Sequence, residues 1–592
     1  MRDPRVDSLK QRRSYWMLSF SPSFVLVLFL LYFSNRSIDF SDESLYLYLT
    51  SIPSKEYSLG GSWNWYLHIL FQASGEDIAI YRRVSILIAF TCAFLFSRAF
   101  FSPGNTQDKD ELGKFTFIFP AALTTATTVF FYRYFLVTPG YNWLAFVGIL
   151  IALTGALNWI KGSGSKSAPV VAAGGLGLAT MGRPFAGAIV LLAMMLNPTI
   201  RKDLLRITNN GKIFLAAICG YIVLHHVFVL SIPDTFKNWQ QISLVLSATE
   251  SNSFWTLIKH TFNELLLIPI YSIEISQGLI LIPTGILFIN RWINKKRSLI
   301  GMKKLLTALS LVMFQVILIS RDYFKYSPDA KTQLGYVLIT LVLFGAIAGK
   351  VIQDSSNPEI PKSSTTPNLN GTIALAISGI VAYSFSSNNG LVNQSAGIGI
   401  LFVAIYMHTI RYVKGDALSS QLIIVNSFFF LIVCAQVLQG AMQYPYRSEN
   451  LANNISTIVV GGNSNLLVSK DRAEDIDAVT RISQKIDVDV SNRPYLVDLS
   501  PFTTFVAYEI GFKSVETPFF LNSDYLIELA ERNDVILQQA WIMTSDSNQS
   551  IDPSQLLIGL GKTLEKDYKL YAILEGDYCR NTQCTLFLWK PI

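Results

Sequence analysis

Long apolar stretches, separated by short polar segments, fill the first 440 residues of the chain. A helix of about 20 apolar residues crosses the roughly 30 Å of hydrocarbon in a bilayer. The first stretch, Tyr15–Ser34, follows a basic segment, Met1–Ser14, and has no small-residue cleavage site after it, so we expect a retained span. Twelve further spans are expected at residues 80–100, 115–135, 143–160, 168–181, 184–197, 213–231, 270–290, 305–321, 333–350, 371–387, 391–411 and 421–440.

The pattern changes in the last part of the chain. Short apolar runs at Thr457–Gly461 and Tyr495–Leu499 predict strands. Helical spacing over Asp471–Ile486 and Ser523–Arg532 predicts helices. Further strands are expected at Val535–Met543, Tyr568–Leu574 and Thr585–Trp589. We therefore predict a polytopic α-helical membrane protein of about 13 spans, residues 1–440, with a C-terminal α/β domain, residues 441–592.

Composition agrees with a membrane protein. Of the 592 residues, 51% are hydrophobic and 15% are charged, whereas an average globular chain carries about 25% charged residues. These figures exclude a disordered chain, a coiled coil and a basic nucleic-acid-binding domain. We expect no nucleic-acid partner.

Charge predicts the orientation in the membrane. Residues 441–592 hold 13 Lys and Arg against 20 Asp and Glu, whereas residues 1–440 hold 35 against 21. With a cytoplasmic N-terminus, the cytoplasmic segments carry 24 Lys and Arg and the outside loops up to residue 440 carry 11. The positive-inside rule therefore predicts a cytoplasmic N-terminus. An odd number of spans then makes the C-terminal domain extracytoplasmic.

The five cysteines are too few for a disulfide-dense secreted scaffold. Cys92, Cys219 and Cys434 lie in apolar runs and are expected to be small core residues. Cys579 and Cys584 flank a short polar stretch, where we expect a hairpin disulfide. Such a bond requires an oxidising compartment, in agreement with an extracytoplasmic domain.

The first outside loop, residues 35–80, carries an acid pair. Asp42 and Glu43 directly follow the first span, and Leu45–Ile52 and Trp63–His68 are expected to form helices at the membrane interface. One interpretation is a plain helix start, with Asp42 as N-cap and Glu43 in the first turn. The other is a general base that takes a proton from an incoming hydroxyl or amine.

Four arginines are expected at the same outer face: Arg82, Arg83, Arg133 and Arg183. Charges at this depth are costly unless they are paired, and guanidinium groups bind phosphate bidentately. The alternative for each arginine is that it extends to the interface, where its charge is hydrated.

The second outside loop, Thr138–Trp143, contains Pro-Gly, which breaks the helix and directs the loop into the space between spans. Its Asn142, with flanking aromatic residues, could hydrogen-bond a sugar. An ordinary turn with interfacial aromatic residues is the alternative.

Motifs for metals and nucleotides are absent from the sequence. The histidines and cysteines lack zinc spacing, and Asp42 and Glu43 have no obvious third ligand for a divalent cation. There is no P-loop, no Gly-x-Gly-x-x-Gly and no Gly-x-Ser-x-Gly. We therefore expect no cofactor, while a divalent cation at Asp42 and Glu43 stays open, and nucleotide-driven pumping is disfavoured.

The order of these features along the chain resembles that in the GT-C superfamily of membrane glycosyltransferases. The protein O-mannosyltransferases and the lipid A aminoarabinose transferases are the nearest likenesses. Asp42–Tyr46 matches the family's acid pair after the first span, and Trp65–Phe71 with Gly75 matches its interfacial helix and turn. Arg82 matches the arginine that opens the second span.

A further match is Arg183-Pro184, since the family has Lys or Arg before Pro or Gly between two short spans. The likeness covers most of residues 15–200 and is topological beyond them. There are three departures. Asn142 stands where the family often has Asp, the interfacial helix lacks its leading Pro, and Arg183 stands where Lys is commoner.

The resemblance implies transfer of a sugar from a polyprenyl-phosphate-linked donor to an extracytoplasmic glycan, lipid or protein. Asp42 would act as the base, and Glu43 would orient the site. The lipid phosphate would be held by Arg82, Arg133 and Arg183, and the sugar or acceptor by Tyr46, His68, Tyr141 and Asn142. The expected location is a bacterial inner membrane.

Three other functions stay open at this point. A transporter or flippase of lipid-linked saccharide favours ionisable residues or broken helices near mid-bilayer, often in two related halves, and the sequence shows neither. A non-catalytic envelope assembly protein does not need an acid pair and arginines on one face, and it should tolerate Asp42→Asn. A phosphotransferase with a lipid donor is separated by analysis of its product.

Overall fold

The computed structural model describes most of the chain, with gaps between its described ranges. These ranges are residues 20–53, 62–102, 111–134, 137–162, 166–236, 254–275, 278–292, 300–320, 330–354, 367–385, 390–411, 417–445, 449–486, 493–500, 503–515, 534–547, 550–579 and 582–592. Residues 15–19 of the first predicted span and all of the predicted helix Ser523–Arg532 lie outside them.

Helices make up the structure up to residue 443. They are α1 Phe20–Phe33, α2 Asp42–Ser51, α3 Trp63–Ala73, α4 Ile78–Phe101, α5 Glu111–Ala126, α6 Val129–Tyr134, α7 Tyr141–Ile160, α8 Ser167–Gly182, α9 Pro184–Leu196, α10 Pro198–Leu205, α11 Asn209–Phe228, α12 Phe254–Ile275, α13 Leu281–Trp292, α14 Ile300–Ser320, α15 Ala330–Asp354, α16 Pro367–Phe385, α17 Gly390–Ser395, α18 Gly399–Arg411 and α19 Ala417–Gln443.

The predicted spans correspond to helices, but the number of spans is not confirmed. Within the described ranges, four helices are long and apolar enough to cross a membrane: α4, α7, α11 and the Val425–Gln443 part of α19. The pair α9 and α10, bent by 86°, makes a fifth if it counts as one span. The single span expected at 270–290 is wrong, because α12 ends at Ile275 and α13 begins at Leu281. Similarly, residues 115–134 of the span expected at 115–135 form two helices, and so do residues 391–411.

Glycines hold α7 and α8 against each other. A Cβ atom at Gly148 or Gly155 of α7 would collide with the backbone of α8. One at Gly182 would collide with the first turns of α7. Small residues let helix backbones approach closely in a membrane protein. The contact at Gly182 places the next residue, Arg183, beside Asn142 in the first turn of α7.

The C-terminal domain is built on two sheets. Strands β1 Ser456–Val460 and β2 Ser464–Val468 form an antiparallel hairpin. The second sheet has the order β4–β3–β5–β7–β6, in which β3 is parallel to β4 and β5, and β7 is antiparallel to β5 and β6. Its strands are β3 Tyr495–Asp498, β4 Lys513–Ser514, β5 Trp541–Ser545, β6 Tyr568–Cys579 and β7 Thr582–Pro591. The helices of this domain are α20 Lys470–Ile486, α21 Thr504–Ile510, α22 Asp534–Leu537, α23 Ser554–Gly559 and α24 Leu564–Asp567.

The structure corrects two expectations, one about a strand of the C-terminal domain and one about the burial of a cysteine. The expected strand Val535–Met543 is wrong in its first part, because Asp534–Leu537 is helical and β5 begins at Trp541. Cys219 is exposed on α11 rather than part of the core, whereas Cys92 and Cys434 are buried as expected. Periodicity alone does not separate a short helix from a strand in a brief apolar run.

Backbone hydrogen bonds join the C-terminal domain to the loop after α1. The Ser37 N–H donates to the carbonyl of Leu467 in β2 at 2.8 Å, and the Leu467 N–H donates to the carbonyl of Asn35 at 2.9 Å. At the start of α4, the Ile78 N–H donates to Ser464 Oγ at 2.8 Å. The loop after α1, the start of α4 and the C-terminal domain therefore lie on one face of the helical part.

Candidate active site

The acid run that follows α1 is folded on itself and largely buried. The Asp39 N–H donates to Glu43 Oε2 at 2.9 Å, and the Glu43 N–H donates to Asp39 Oδ2 at 3.2 Å. The Ser41 hydroxyl also donates to Asp39, at 2.9 Å. Burial, and then the carboxylates of Asp42 and Glu43, raise the pKa of Asp39 from 3.8 to about 6.

The first turn of α2 differs from the helix start that the sequence suggests. The N-cap is Ser41, and Asp42 and Glu43 both lie in the first turn, so the reading of Asp42 as N-cap is wrong. The two helices expected in this loop are confirmed, at Asp42–Ser51 and Trp63–Ala73, and their position at the membrane interface stays a prediction. Seven of the ten residues of α2 are buried, and α21 of the C-terminal domain packs against it. Asp42 stays half-buried while Glu43 is buried.

Glu43 is the centre of a buried polar cluster. Its Oε1 accepts hydrogen bonds from Arg82 Nη2 at 2.5 Å and Arg82 Nε at 3.1 Å, and it also accepts one from the hydroxyl of Thr138. The remaining Arg82 donors bond the carbonyls of Ser34 at 2.9 Å and Ser37 at 3.0 Å. Arg82 therefore fastens the acid pair to the end of α1. Its expected contact with a lipid phosphate stays a prediction.

Arg183 is the centre of a second buried cluster. Its guanidinium donates to Asn142 Oδ1, to Gln394 Oε1 at 2.8 Å and to the carbonyl of Tyr383. It also lies over the rings of Tyr383, at 4.3 Å, and Tyr141, at 5.6 Å. All three hydrogen-bond acceptors are neutral, and Arg183 Nε is buried without an acceptor in the described part of the chain. The cluster thus holds a buried positive charge with no carboxylate against it among the described residues.

The loop between α6 and α7 joins the two clusters. Thr138 at its start belongs to the Glu43 cluster, and Asn142 at its end belongs to the Arg183 cluster. Residues four apart in a chain have Cα atoms at most about 14 Å apart. The two clusters are therefore neighbours, as the sequence predicts for the acid pair, Asn142 and two of the arginines.

An aromatic group fixes this loop against α2 and α3. The Tyr46 ring lies edge-on to Tyr141 at 5.8 Å and to Trp63 at 5.7 Å. The same ring packs on the backbone of Gly140, where a Cβ atom would meet it at 2.6 Å. Glycine at this position therefore permits the close approach of the loop to α2.

Two of the expected binding residues do not join either cluster through the contacts seen here. Arg133 is buried, and its Nη1 donates to the carbonyl of Tyr444 at 3.1 Å, after the end of α19. His68 Nδ1 lies 2.8 Å from the carbonyl oxygen of Thr50, so this ring connects α3 to α2. Their roles toward phosphate and sugar stay predictions.

The C-terminal domain covers the acid run with aromatic rings. Phe40 stacks on Phe505 of α21 at 4.2 Å and on Tyr578 of β6 at 5.6 Å, and the guanidinium of Arg472 lies over the Phe40 ring at 4.1 Å. The Phe505 N–H donates to the carbonyl of Phe40 at 3.3 Å. Phe40 lies two residues before Asp42, so the position of the acid pair depends on this domain.

A second attachment lies at the other end of α2. The Tyr48 hydroxyl donates to the carbonyl of Phe512 at 3.1 Å and accepts from the Ser514 N–H at 2.7 Å. The side chain of Tyr48 is fully buried. Beyond this contact, Cys579 and Cys584 form a disulfide in the β6–β7 hairpin, directly after Tyr578. Across the described ranges, no group of three His, Cys, Asp or Glu residues could hold a metal ion.

Sequence reasoning missed several members of the site. Asp39 and Thr138 lie beside residues that the sequence singles out, and a third carboxylate in the acid run was a visible signal for Asp39. Tyr383 and Gln394 lie about 200 residues from Arg183 in the chain and carry no local signal. The packing of α16 against α9, and of α17 against α16, brings them to it.

The chain matches no protein-family model and no curated protein. Among solved structures, it is similar to the crystal structure of ArnT from Cupriavidus metallidurans in the apo state. The TM-score is 0.40 and the sequence identity is 12%, over 98% of each chain. A similarity at this score is not evidence of function, and the function is inferred from the site alone.

Proposed function

We propose that this chain is an integral-membrane glycosyltransferase that resembles the GT-C superfamily. It transfers a sugar from a polyprenyl-phosphate-linked donor to an acceptor on the extracytoplasmic side. The observation that carries the proposal is the joining of two clusters by the loop from Thr138 to Asn142. One cluster carries a half-buried carboxylate, Asp42, and the other carries a guanidinium, Arg183, with no carboxylate against it among the described residues.

Asp42 is the general base in this proposal. Of the acid pair, Glu43 is buried and bonded to Arg82, whereas Asp42 is half-buried. Asp42 takes the proton of the acceptor hydroxyl or amine as that atom attacks the anomeric carbon. The bond from the anomeric carbon to the phosphate oxygen breaks, and the lipid phosphate leaves with the electron pair.

Arg183 stabilises the phosphate leaving group in this proposal. A buried cation with only neutral partners is costly, and an anionic ligand lowers that cost. Its donors are aimed by Asn142 and Gln394, and aromatic rings flank it, which limits its hydration. Negative charge grows on the phosphate as the glycosidic bond breaks, so a fixed guanidinium lowers the barrier. In this proposal Arg133 binds the same phosphate. The sugar or the acceptor is bound by Tyr46, Tyr141, Asn142 and His68.

The sidedness of the reaction follows from charge. The acid loop and the C-terminal domain share one face of the protein through the Ser37–Leu467 contacts. The distribution of Lys and Arg supports placing that face outside the cytoplasm. A bacterial inner membrane is the proposed location.

The test is transfer by the purified full-length protein in liposomes. Labelled polyprenyl-phosphate hexoses and pentoses are offered with extracts of envelope lipids, glycans and proteins. We expect one donor to give a labelled product together with free polyprenyl phosphate in equal amount. Asp42→Asn should abolish both, whereas Glu76→Gln, an exposed acid in the same loop, should keep them.

Other outcomes of this assay point to the alternatives. Movement of intact lipid-linked saccharide across the liposome membrane, without a new glycoside, indicates a flippase. Transfer of phosphate together with the sugar indicates a phosphotransferase. Product formation that survives Asp42→Asn removes the assigned base.

A further inference from the structure

The short helix α17, Gly390–Ser395, carries one of the acceptors that hold Arg183. A helix of this length is not stable by itself, because too few backbone hydrogen bonds offset the cost of starting it. Its first N–H groups also lack partners within the helix, and buried N–H groups need acceptors. Leu391 and Val392, in its first turn, are both buried. The position of α17 therefore depends on neighbouring elements.

Glu264 of α12 supplies the missing acceptor. Its Oε2 accepts hydrogen bonds from the Leu391 N–H at 2.7 Å and from the Val392 N–H at 3.3 Å. A carboxylate is a strong acceptor, and negative charge is favourable at the N-terminal end of a helix. The contact requires glycine at Gly390, where φ is +76° and a Cβ atom would collide with the Glu264 carboxylate. This end of α17 is therefore filled by a side chain of the protein itself.

Two further contacts set α12 and α17 against α15. A Cβ atom at Gly335 of α15 would collide with the carbonyl oxygen of Val392, so glycine permits this close approach. The next residue of α15, Tyr336, stacks on Tyr271 of α12 at 4.7 Å. Tyr271 lies about two turns after Glu264, so both side chains project from one face of α12. That face is turned toward α15 and α17, which fixes the direction of Glu264.

The other end of α17 reaches the second buried cluster. Gln394 is buried, and its Oε1 accepts a hydrogen bond from Arg183 Nη2 at 2.8 Å. The same Nη2 donates to Asn142 of α7. Gln394 follows Val392 within one helical turn, so a shift of the first turn of α17 displaces Gln394 as well. The direction of the Arg183 guanidinium is thereby linked to Glu264.

We propose that Glu264 is a positioning residue for Arg183. By holding the first turn of α17, its carboxylate fixes Gln394 and keeps Arg183 Nη2 directed between Gln394 and Asn142. The consequence for a phosphate-linked substrate rests on the proposed function, in which Arg183 binds the phosphate. The link between Glu264 and Arg183 does not rest on that function, because it consists of contacts within the protein.

Hydrogen exchange and lipid binding test this role in the full-length protein in a neutral detergent. Glu264→Ala should raise exchange over residues 390–395. It should also weaken binding of a polyprenyl-phosphate-linked hexose, followed by native mass spectrometry, by roughly three- to tenfold, the scale of one hydrogen bond. Gln394→Ala should weaken it by a similar factor. Glu274→Ala removes an exposed acid from the same helix and should change neither quantity.

Double variants distinguish positioning from a general structural role. In the Arg183→Gln background, Glu264→Ala should cause no further loss of affinity for the hexose lipid, since the guanidinium that it positions is absent. The changes in the thermal unfolding midpoint caused by the two substitutions should be non-additive for the same reason. If Glu264→Ala does not fold, Glu264→Gln takes its place. It keeps one acceptor oxygen, and its effects should be smaller and in the same direction.

Two results would overturn the proposal. Unchanged exchange over residues 390–395 in the Glu264 variant would show that α17 is held without this carboxylate. An equal loss of affinity in the wild-type and Arg183→Gln backgrounds would show that Glu264 acts through another group. If Arg183→Gln alone leaves the affinity unchanged, the proposed function loses its phosphate ligand, and the unfolding midpoints still decide the role of Glu264.

Discussion

Glu43 Oε1 lies 2.5 Å from Arg82 Nη2, in an ion pair whose two side chains are both 5% exposed or less. The adjacent carboxylate, Asp42, is half-buried and sits on another side of the same helical turn. Two neighbouring acids therefore have different environments. Glu43 bonds both Arg82 and Thr138, and Asp42 is the acid that we propose as the base.

The first prediction separates the two acids by stability and activity. Removing one partner of a buried ion pair leaves the other charge unpaired and costs about 3–5 kcal/mol. Glu43→Gln should therefore lower the thermal unfolding midpoint of the protein in detergent clearly. Asp42→Asn should leave that midpoint nearly unchanged while it abolishes sugar transfer.

The control for this comparison is Glu76→Gln, which makes the same chemical change at an exposed position of the loop. It should alter neither stability nor transfer. A lower unfolding midpoint for Asp42→Asn than for Glu43→Gln would reverse the assignment of the two acids.

The second prediction concerns the buried charge of Arg183. Replacing it with Gln removes a desolvated cation whose hydrogen-bond acceptors are all neutral, so the loss of hydrogen bonds is offset in part. Arg183→Gln should destabilise the protein less than Glu43→Gln does. It should also weaken binding of the phosphate-linked donor by at least roughly tenfold.

Arg183→Lys tests whether charge or shape matters at this position. Lysine keeps the charge but loses the planar fork that reaches Asn142 and Gln394 together. We expect intermediate donor affinity, measured by the same binding assay. Unchanged affinity in Arg183→Gln would remove the leaving-group role from this residue.

Part of this site is readable from the sequence and part is not. The spacing of apolar stretches places the acid pair, Arg82 and Asn142 at helix ends on one side. In the structure Thr138 bonds both Glu43 and Arg82. Sequence patterns do not show that Arg82 is occupied by Glu43, because two charges can pair or point apart with the same spacing. Two of the three hydrogen-bond partners of Arg183 come from α16 and α17, and such long-range contacts depend on packing that no local pattern records.

The third prediction tests the attachment of the C-terminal domain to α2. Tyr48→Phe removes the hydroxyl that bonds the Phe512 carbonyl and the Ser514 N–H, and leaves both buried groups unpaired. The expected cost is about 1–3 kcal/mol for each group. Hydrogen exchange should rise over residues 504–515 and over α2, and transfer should fall with it.

Tyr444→Phe is the matched control, since its side chain is 43% exposed. It should leave hydrogen exchange unchanged in both segments. Normal exchange in Tyr48→Phe would show that the aromatic stack on Phe40 is enough to hold the domain.

The last prediction concerns Asp498 at the end of β3. It does cap locally, because Oδ1 accepts from the Ser500 N–H at 2.9 Å and from the Ser500 hydroxyl at 2.5 Å. However, its side chain is buried, and Oδ2 has no partner among the described residues. Burial raises the pKa of Asp498 from 3.8 to about 7.

The sign of the pH effect follows from this shift. Between pH 4 and pH 7 the folded protein binds more protons at Asp498 than the unfolded chain does, so stability falls as pH rises through this range. The pKa difference corresponds to at most about 4 kcal/mol. Asp498→Asn removes the titration, so its unfolding midpoint relative to wild type should rise from pH 4 to pH 7.5. Glu565→Gln changes an exposed acid of the same domain, so its unfolding midpoint should equal that of wild type at every pH. If the midpoint of Asp498→Asn also equals that of wild type at every pH, Asp498 is in contact with water.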